Sequence, residues 1–247
     1  MFTKKITSIF YIIVFTCICM SCSNRDNHQA KTDNQQETPS SDIITAEEQA
    51  SLTPQSVLNG LKVGNERFVN GNLTSRDYIE QAAKTASGQY PEAAILACVD
   101  SRVPVETIFD KGIGDIFVGR VAGNFVNVDM LGSLEFATEV AGSKVVVVMG
   151  HESCGAVKSA IDDVKLGNIT EMLTKIKPAV EMTENYEGDR TTKNNEYVTN
   201  VVNNNVHHTI EQIRKDSPII RELEKNGDIL VVGAFYDLDT GKVTFLK

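Results

Sequence analysis

Two short, uninterrupted apolar runs constrain the fold of this chain most strongly. They cover residues Ala93–Val99 and Lys144–Gly150, and neither shows the alternation of a strand with one face in water. Continuous apolar runs of this length are typical of strands buried on both faces of a parallel sheet. Asp115–Val121 and Asp228–Phe235 have a similar character. The chain is therefore expected to build a sheet from four buried strands.

Helical patterns lie before and between these strands. Strands that alternate with helices indicate an α/β fold, here a mainly parallel central β-sheet flanked by helices. Residues from Thr53, a predicted N-cap followed by Pro54, to Thr85 form a predicted N-terminal helical arm. Residues Phe235–Leu246 contain an Asp-Thr-Gly turn between alternating segments, which predicts a C-terminal edge hairpin. The other predicted helices cover Tyr78–Thr85, Val105–Phe109, Met130–Val140 and Ala156–Val164.

The first 22 residues have the layout of an export signal. Lys4 and Lys5 precede an apolar run that is shorter than the roughly 20 residues a helix needs to cross a bilayer. Cys22 follows the small Ser21 and resembles the lipid-modified cysteine of a bacterial lipobox. We expect an exported protein, periplasmic or anchored to the envelope through a lipid on Cys22. Cleavage of the signal without lipidation is the alternative.

The segment that follows is polar, and the chain as a whole is acidic. Residues 23–45 are predicted to form a disordered tether because the stretch up to Ser41 has no apolar residue larger than Ala. Residues 46–247 are then predicted to form one folded domain. The chain has 33 Asp and Glu against 24 Lys and Arg. A field of this sign repels phosphate backbones, so nucleic acid is not an expected partner.

Two groups of reactive side chains follow two of the predicted strands. The first is Cys98-x-Asp100-Ser101-Arg102, and the second is His151-x-x-Cys154-Gly155. Parallel strands place such groups at one edge of the sheet, where ligands bind. Two thiolates and one imidazole suit tetrahedral zinc. The alternatives are a disulfide between the two cysteines and a structural role for the histidine.

These motifs resemble the paired zinc motifs of the β-class carbonic anhydrases. The stretch Arg120-Val-Ala-Gly-Asn124 and the closing stretch Tyr236-Asp-Leu-Asp-Thr-Gly241 are also similar to that family, and the resemblance covers roughly Leu52–Leu246. It implies reversible hydration of carbon dioxide to bicarbonate and a proton by a zinc-bound hydroxide. It also implies a homodimer or a dimer of dimers.

The resemblance implies a role for each site residue. Cys98, His151 and Cys154 are the expected ligands of one Zn²⁺ per chain. Asp100, paired with Arg102, is the expected acceptor of a hydrogen bond from the hydroxide, and in some family members it binds zinc itself. The substrate cleft is expected to be lined by Ala122, Gly123 and Asn124, although Gly123 could instead serve only a turn.

Two other functions are compatible with these motifs. The same zinc site could hydrolyse carbonyl sulfide or carbon disulfide, or the chain could be a non-catalytic lipoprotein that binds zinc or carries a disulfide. His207 and His208 are predicted to lie on an amphipathic surface helix rather than at a second metal site. The segment Thr183–Asn205 is expected to be a loop or a helix with an inserted turn.

Overall fold

The structure is a computed structural model that describes residues 39–246. Its centre is a five-stranded sheet in the order β2-β1-β3-β4-β5, in which β1 to β4 are parallel and β5 is antiparallel to β4. The predicted α/β class, the four parallel strands and the closing hairpin are confirmed. The strands are β1 (Ala93–Ala97), β2 (Ile116–Arg120), β3 (Val145–His151), β4 (Leu230–Tyr236) and β5 (Val243–Phe245).

Ten α-helices are found in the described part of the chain. They are α1 (Ala46–Ser51), α2 (Pro54–Val69), α3 (Tyr78–Thr85), α4 (Val105–Ile108), α5 (Val128–Glu135), α6 (Gly155–Ile161), α7 (Gly167–Leu173), α8 (Lys177–Glu181), α9 (Asn195–Asp216) and α10 (Pro218–Asn226). Thr53 caps α2 with its side chain as predicted, and α3 has the predicted bounds. The helix predicted over Met130–Val140 is instead α5 followed by a π-helical turn, Phe136–Val140.

The sheet is buried on both faces, as its composition requires. Ile95 and Val147 belong to a core cluster that includes residues of α2 and α4. Leu96 and Val148 belong to a second cluster, on residues of α9 and α10. Each fully buried side chain of this size contributes about 1.5–3 kcal/mol to folding. The burial of β1 and β3 therefore fixes their place at the centre of the sheet.

Helix α9 packs unusually close to the carboxyl end of β3. A Cβ on Gly150 would lie 2.6 Å from Cγ1 of Val202 and 2.9 Å from Cγ2 of Val206. Glycine is needed here because any larger residue would push the helix away from the sheet. The segment Thr183–Asn205 was predicted to be a loop or a helix with an inserted turn. Its second half, from Asn195, belongs to α9, which packs on the sheet, and the part before Asn195 is irregular.

The folded domain begins before the end of the predicted tether. The backbone N–H of Ser40 donates to the Ser75 carbonyl, and the Ser40 carbonyl accepts from the Asp77 N–H. The Gln81 amide donates to the Asp42 carbonyl, and Thr45 caps α1. The polar composition up to Ser41 gave no sign of order. Hydrogen bonds nevertheless hold residues 40–45 in place, and composition does not reveal such bonds. The domain therefore starts before the predicted residue 46.

The predicted signal of residues 1–22, the lipidation site Cys22 and the tether up to residue 38 lie outside the described residues. Among residues 39–246, no helix combines the length and the apolar character needed to cross a bilayer.

Candidate metal centre

Three strand and helix ends bring the predicted zinc ligands together. Cys98 follows β1 directly, His151 is the last residue of β3, and Cys154 is the N-cap of α6. Strands β1 and β3 are parallel neighbours, so their carboxyl ends meet. The two sulfurs and a ring nitrogen of His151 all lie within 4.8 Å of one another, and all three residues are buried. The predicted ligand set therefore forms one cluster.

The distance between the two sulfurs distinguishes a metal site from a disulfide. The Sγ atoms of Cys98 and Cys154 lie 4.0 Å apart and both thiols are free. A disulfide bond is only about 2.05 Å long. Two sulfurs bound to one tetrahedral zinc at about 2.3 Å would lie about 3.8 Å apart. The spacing fits a shared metal ion and does not fit the disulfide alternative.

The imidazole of His151 is oriented as a metal ligand. Its Nδ1 lies 2.9 Å from the carbonyl oxygen of Glu152, to which it can only donate. The other nitrogen, Nε2, is therefore the unprotonated one of the neutral ring. Nε2 is buried and has no hydrogen-bond partner in the described part of the chain. A hydrogen bond from the far nitrogen to a carbonyl is the usual support of a metal-bound histidine.

The two thiols are electrostatically coupled. The pKa of Cys98 is lowered to about 4, chiefly because the Cys154 thiol donates a hydrogen bond to the Cys98 sulfur. Burial opposes this change, and the hydrogen bond from the Gly123 N–H supports it. The pKa of Cys154 is raised by the Cys98 sulfur and by burial. A divalent cation bound between the two sulfurs would displace the thiol proton, because the thiolate is the form of cysteine that binds metal.

Asp100 is held beside the cluster by Arg102. Nε and Nη2 of Arg102 donate to the two carboxylate oxygens at 2.9 and 2.7 Å, and the Arg102 backbone N–H adds a bond of 3.0 Å. The guanidinium holds the pKa of Asp100 well below its usual range. Asp100 Oδ2 lies 3.9 Å from His151 Nε2. The predicted pair is present, and a role for Asp100 as a fourth ligand would require that pair to break.

Arg120 supports the site although sequence reasoning assigned it no role. It ends β2, and its Nε donates to the Cys98 carbonyl at 2.8 Å. Its Nη2 donates to the Asp100 carbonyl. Both carbonyls belong to the loop that carries a ligand and the Asp100 carboxylate. The sequence feature that could have indicated this role is the position of Arg120 in the stretch Arg120-Val-Ala-Gly-Asn124, which is similar to the family.

The loop with the predicted substrate residues runs past Cys98. The Gly123 N–H donates to the Cys98 sulfur at 3.4 Å. Gly123 has φ +83° and Asn124 has φ +44°, so the loop contains two successive left-handed residues. Gly123 thus serves a turn and also contacts a ligand. Ala122 is half-buried and Asn124 is buried. Their role in binding substrate stays a prediction.

The histidine pair on α9 lies elsewhere. His207 and His208 are half-buried within α9, and neither belongs to the cluster of three ligands. The structure thus places them on a helix, as predicted.

Comparison with known proteins identifies the family. The family model described as carbonic anhydrase matches residues 93–243, which include every ligand of the cluster. The chain belongs to the β-class carbonic anhydrase family. Carbonic anhydrase 2 of Mycobacterium tuberculosis is 36% identical over 198 residues, which are 78% of this chain and 92% of that protein. A carbonic anhydrase of Mycolicibacterium smegmatis is 35% identical over 77% of this chain and 92% of its own length.

Solved structures agree with this assignment. One of two tetrameric β-carbonic anhydrases of Sordaria macrospora is 26% identical with a TM-score of 0.60, covering 78% of this chain and 94% of its own. A β-carbonic anhydrase of Aspergillus fumigatus shares the fold with a TM-score of 0.62 at 24% identity, over 78% of this chain and 90% of that one. Because these relatives are named carbonic anhydrases, hydrolysis of carbonyl sulfide or carbon disulfide and a non-catalytic role are not favoured.

Proposed function

We propose that this chain catalyses the reversible hydration of carbon dioxide to bicarbonate and a proton, with one zinc ion per chain. The observation that carries the proposal is the buried cluster of Cys98, His151 and Cys154, in which His151 Nε2 has no partner in the described residues. Zinc bound there is a Lewis acid that lowers the pKa of a coordinated water and makes hydroxide available near neutral pH.

The residues around the cluster orient the reactants. The carboxylate of Asp100 is ionised and can only accept hydrogen bonds. A water or hydroxide held close to His151 Nε2 would therefore donate its hydrogen to Asp100 Oδ2, which lies 3.9 Å from that nitrogen, and its lone pair would point away from the carboxylate. Arg102 fixes that direction because its two parallel hydrogen bonds leave the carboxylate one orientation.

The loop of Ala122, Gly123 and Asn124 is the proposed wall of the substrate cleft. Nδ2 of Asn124 is buried and has no hydrogen-bond partner among residues 39–246. An unpaired amide N–H is costly to bury, and it can donate to an oxygen of carbon dioxide or bicarbonate. The small side chain of Ala122 leaves room for a small, linear, uncharged substrate.

The Asp100–Arg102 pair gives the test of this function. In Arg102→Ala, zinc stays bound, but Asp100 loses its fixed orientation. We expect kcat/KM for carbon dioxide hydration to fall about 100-fold, which is typical of a misplaced catalytic group. Stopped-flow hydration assays and metal analysis on the same preparation measure both quantities.

A matched control is Arg214→Ala. Arg214 also makes two parallel hydrogen bonds, to Glu224 at 2.8 and 2.7 Å, but on α9 and α10 away from the cluster. This control should hydrate carbon dioxide like the wild type. Wild-type activity in Arg102→Ala with zinc bound would remove Asp100 and Arg102 from the mechanism.

We also propose that the protein is exported and anchored to the envelope by a lipid on Cys22. The support is the order of two lysines, an apolar run and a small residue before Cys22, followed by a polar segment. The tether would hold the domain off the membrane surface.

Cys22→Ser tests the anchor in a bacterial host. We expect the wild type in the membrane fraction with a mass increased by the lipid. We expect the variant in the soluble exported fraction, because the lipid is attached through the sulfur of Cys22, which serine lacks. A variant that stays in the membrane fraction to the same extent as the wild type would contradict lipidation at Cys22.

A homodimer or a dimer of dimers is the proposed assembly. Strand β2 is an edge strand that pairs only with β1 among the described strands. Beside it, Val128, Phe136 and Val140 are 80%, 53% and 69% exposed. An open strand edge next to apolar side chains invites a second copy in a twofold contact. The Sordaria macrospora relative is tetrameric.

Phe136→Glu tests that contact. A charge in the apolar patch should shift the sedimentation coefficient to that of a smaller assembly. Leu166→Glu places the same charge at a residue that is 62% exposed and caps α7, outside the patch of Val128, Phe136 and Val140, and should leave the assembly unchanged. Equal sedimentation of wild type and Phe136→Glu would place the contact elsewhere.

A further inference from the structure

Asn205 connects helix α9 to the metal centre. It is fully buried, and its Nδ2 donates to the Gly123 carbonyl at 2.7 Å. This orientation of the amide is the required one, because a carbonyl can only accept. Asn205 Oδ1 is buried and has no hydrogen-bond partner among the described residues. The side chain thus makes one specific contact, and that contact is on the loop beside Cys98.

Packing does not explain an asparagine at this position. One turn earlier on the same face of α9 lie the buried Val201 and Val202. Leaving a buried amide oxygen without a partner costs about 1–3 kcal/mol. A leucine has a similar branched shape and would avoid that cost. The hydrogen bond to Gly123 is what the asparagine contributes and leucine does not.

Gly123 connects the hydrogen bond from Asn205 to the metal ligand Cys98. Its N–H donates to the Cys98 sulfur, and its carbonyl accepts from Asn205. A Cβ on Gly123 would lie 2.4 Å from Cδ1 of Ile176, so the loop also packs tightly on its other side. With φ at +83°, the residue has a conformation that few other residues adopt. Asn205 therefore holds the carbonyl side of Gly123, the residue whose N–H points at the Cys98 sulfur.

We infer that Asn205 is a positioning residue for the metal centre, acting through Gly123 on the Cys98 sulfur. The inference rests on the proposed zinc function. An N–H donor withdraws negative charge from a thiolate, and less charge then reaches the metal. Two thiolates nearly neutralise a divalent ion, so this withdrawal keeps the metal a stronger Lewis acid. Hydrogen bonds to ligands tune metal sites in this way.

The test replaces zinc with Co²⁺ and compares two neighbouring asparagines. Asn205→Leu removes the donor to Gly123. Asn204→Leu is the matched control on the same helix, because Asn204 Nδ2 makes a hydrogen bond of similar length, 2.8 Å, to Thr183 Oγ1. The readouts are the sulfur-to-cobalt charge-transfer band of the Co²⁺ protein and kcat/KM for carbon dioxide hydration by the zinc protein.

In Asn205→Leu, the charge-transfer band should move to longer wavelength because the thiolate becomes a better electron donor. Its kcat/KM should fall about 10-fold, as for other lost supports of metal ligands. Asn204→Leu should match the wild type in both readouts. Asn205→Ala, which cannot clash with its neighbours, makes the same comparison if the leucine variant does not fold.

Two results would overturn the inference. One is an unchanged band in the folded Asn205 variants, and the other is an equal shift in Asn204→Leu, which would indicate a general effect of disturbing α9. The proposed function fails separately, when the wild type binds the metal but does not hydrate carbon dioxide. The cobalt spectra test Asn205 whether or not the zinc protein is active.

Discussion

The parallel pairing of β1 with β3 brings the chemistry of this protein together. In that register, Ala97 lies opposite Met149, so the residues that follow both strands leave the sheet side by side. Cys98 directly follows β1, His151 is the last residue of β3, and Cys154 caps α6 three residues later. The pairing is held by buried aliphatic side chains on both faces of the sheet. Ligand geometry therefore depends on the hydrophobic core, and the site needs no flexible segment to assemble it.

The local electrostatics explain why such a cluster fits a divalent cation. Two buried sulfurs and an imidazole nitrogen that has no partner among residues 39–246 are costly to bury away from water. Hydrogen bonds from Gly123 to the sulfur and from His151 to a carbonyl orient these groups without using the lone pairs that face the centre. Arg102 separately holds the charge of Asp100 at the edge of the cluster. The site thus offers two distinct positions. One lies among the three ligand side chains and fits a cation, and the other lies beside Asp100 and fits a hydrogen-bond donor.

Much of this arrangement could be predicted from the sequence. The apolar runs identified β1 and β3, and the residue types after them identified the zinc ligands and the Asp100–Arg102 pair. Asn205 could not be found in this way, because its partner Gly123 is 82 residues away and the contact depends on how closely α9 packs on the sheet. The early start of the domain was missed for the same reason. Residues near Ser40 are fixed by backbone hydrogen bonds to residues near Asp77, and composition carries no record of such bonds.

Carbon dioxide hydration by the zinc-stripped protein, measured during titration with Zn²⁺, tests the central claim most directly. If Cys98, His151 and Cys154 hold the catalytic metal, the stopped-flow rate should be near the uncatalysed rate without zinc. It should then rise in proportion to added zinc and level off at one equivalent per chain. A rate that does not depend on zinc, or full zinc uptake without hydration activity, would contradict the account.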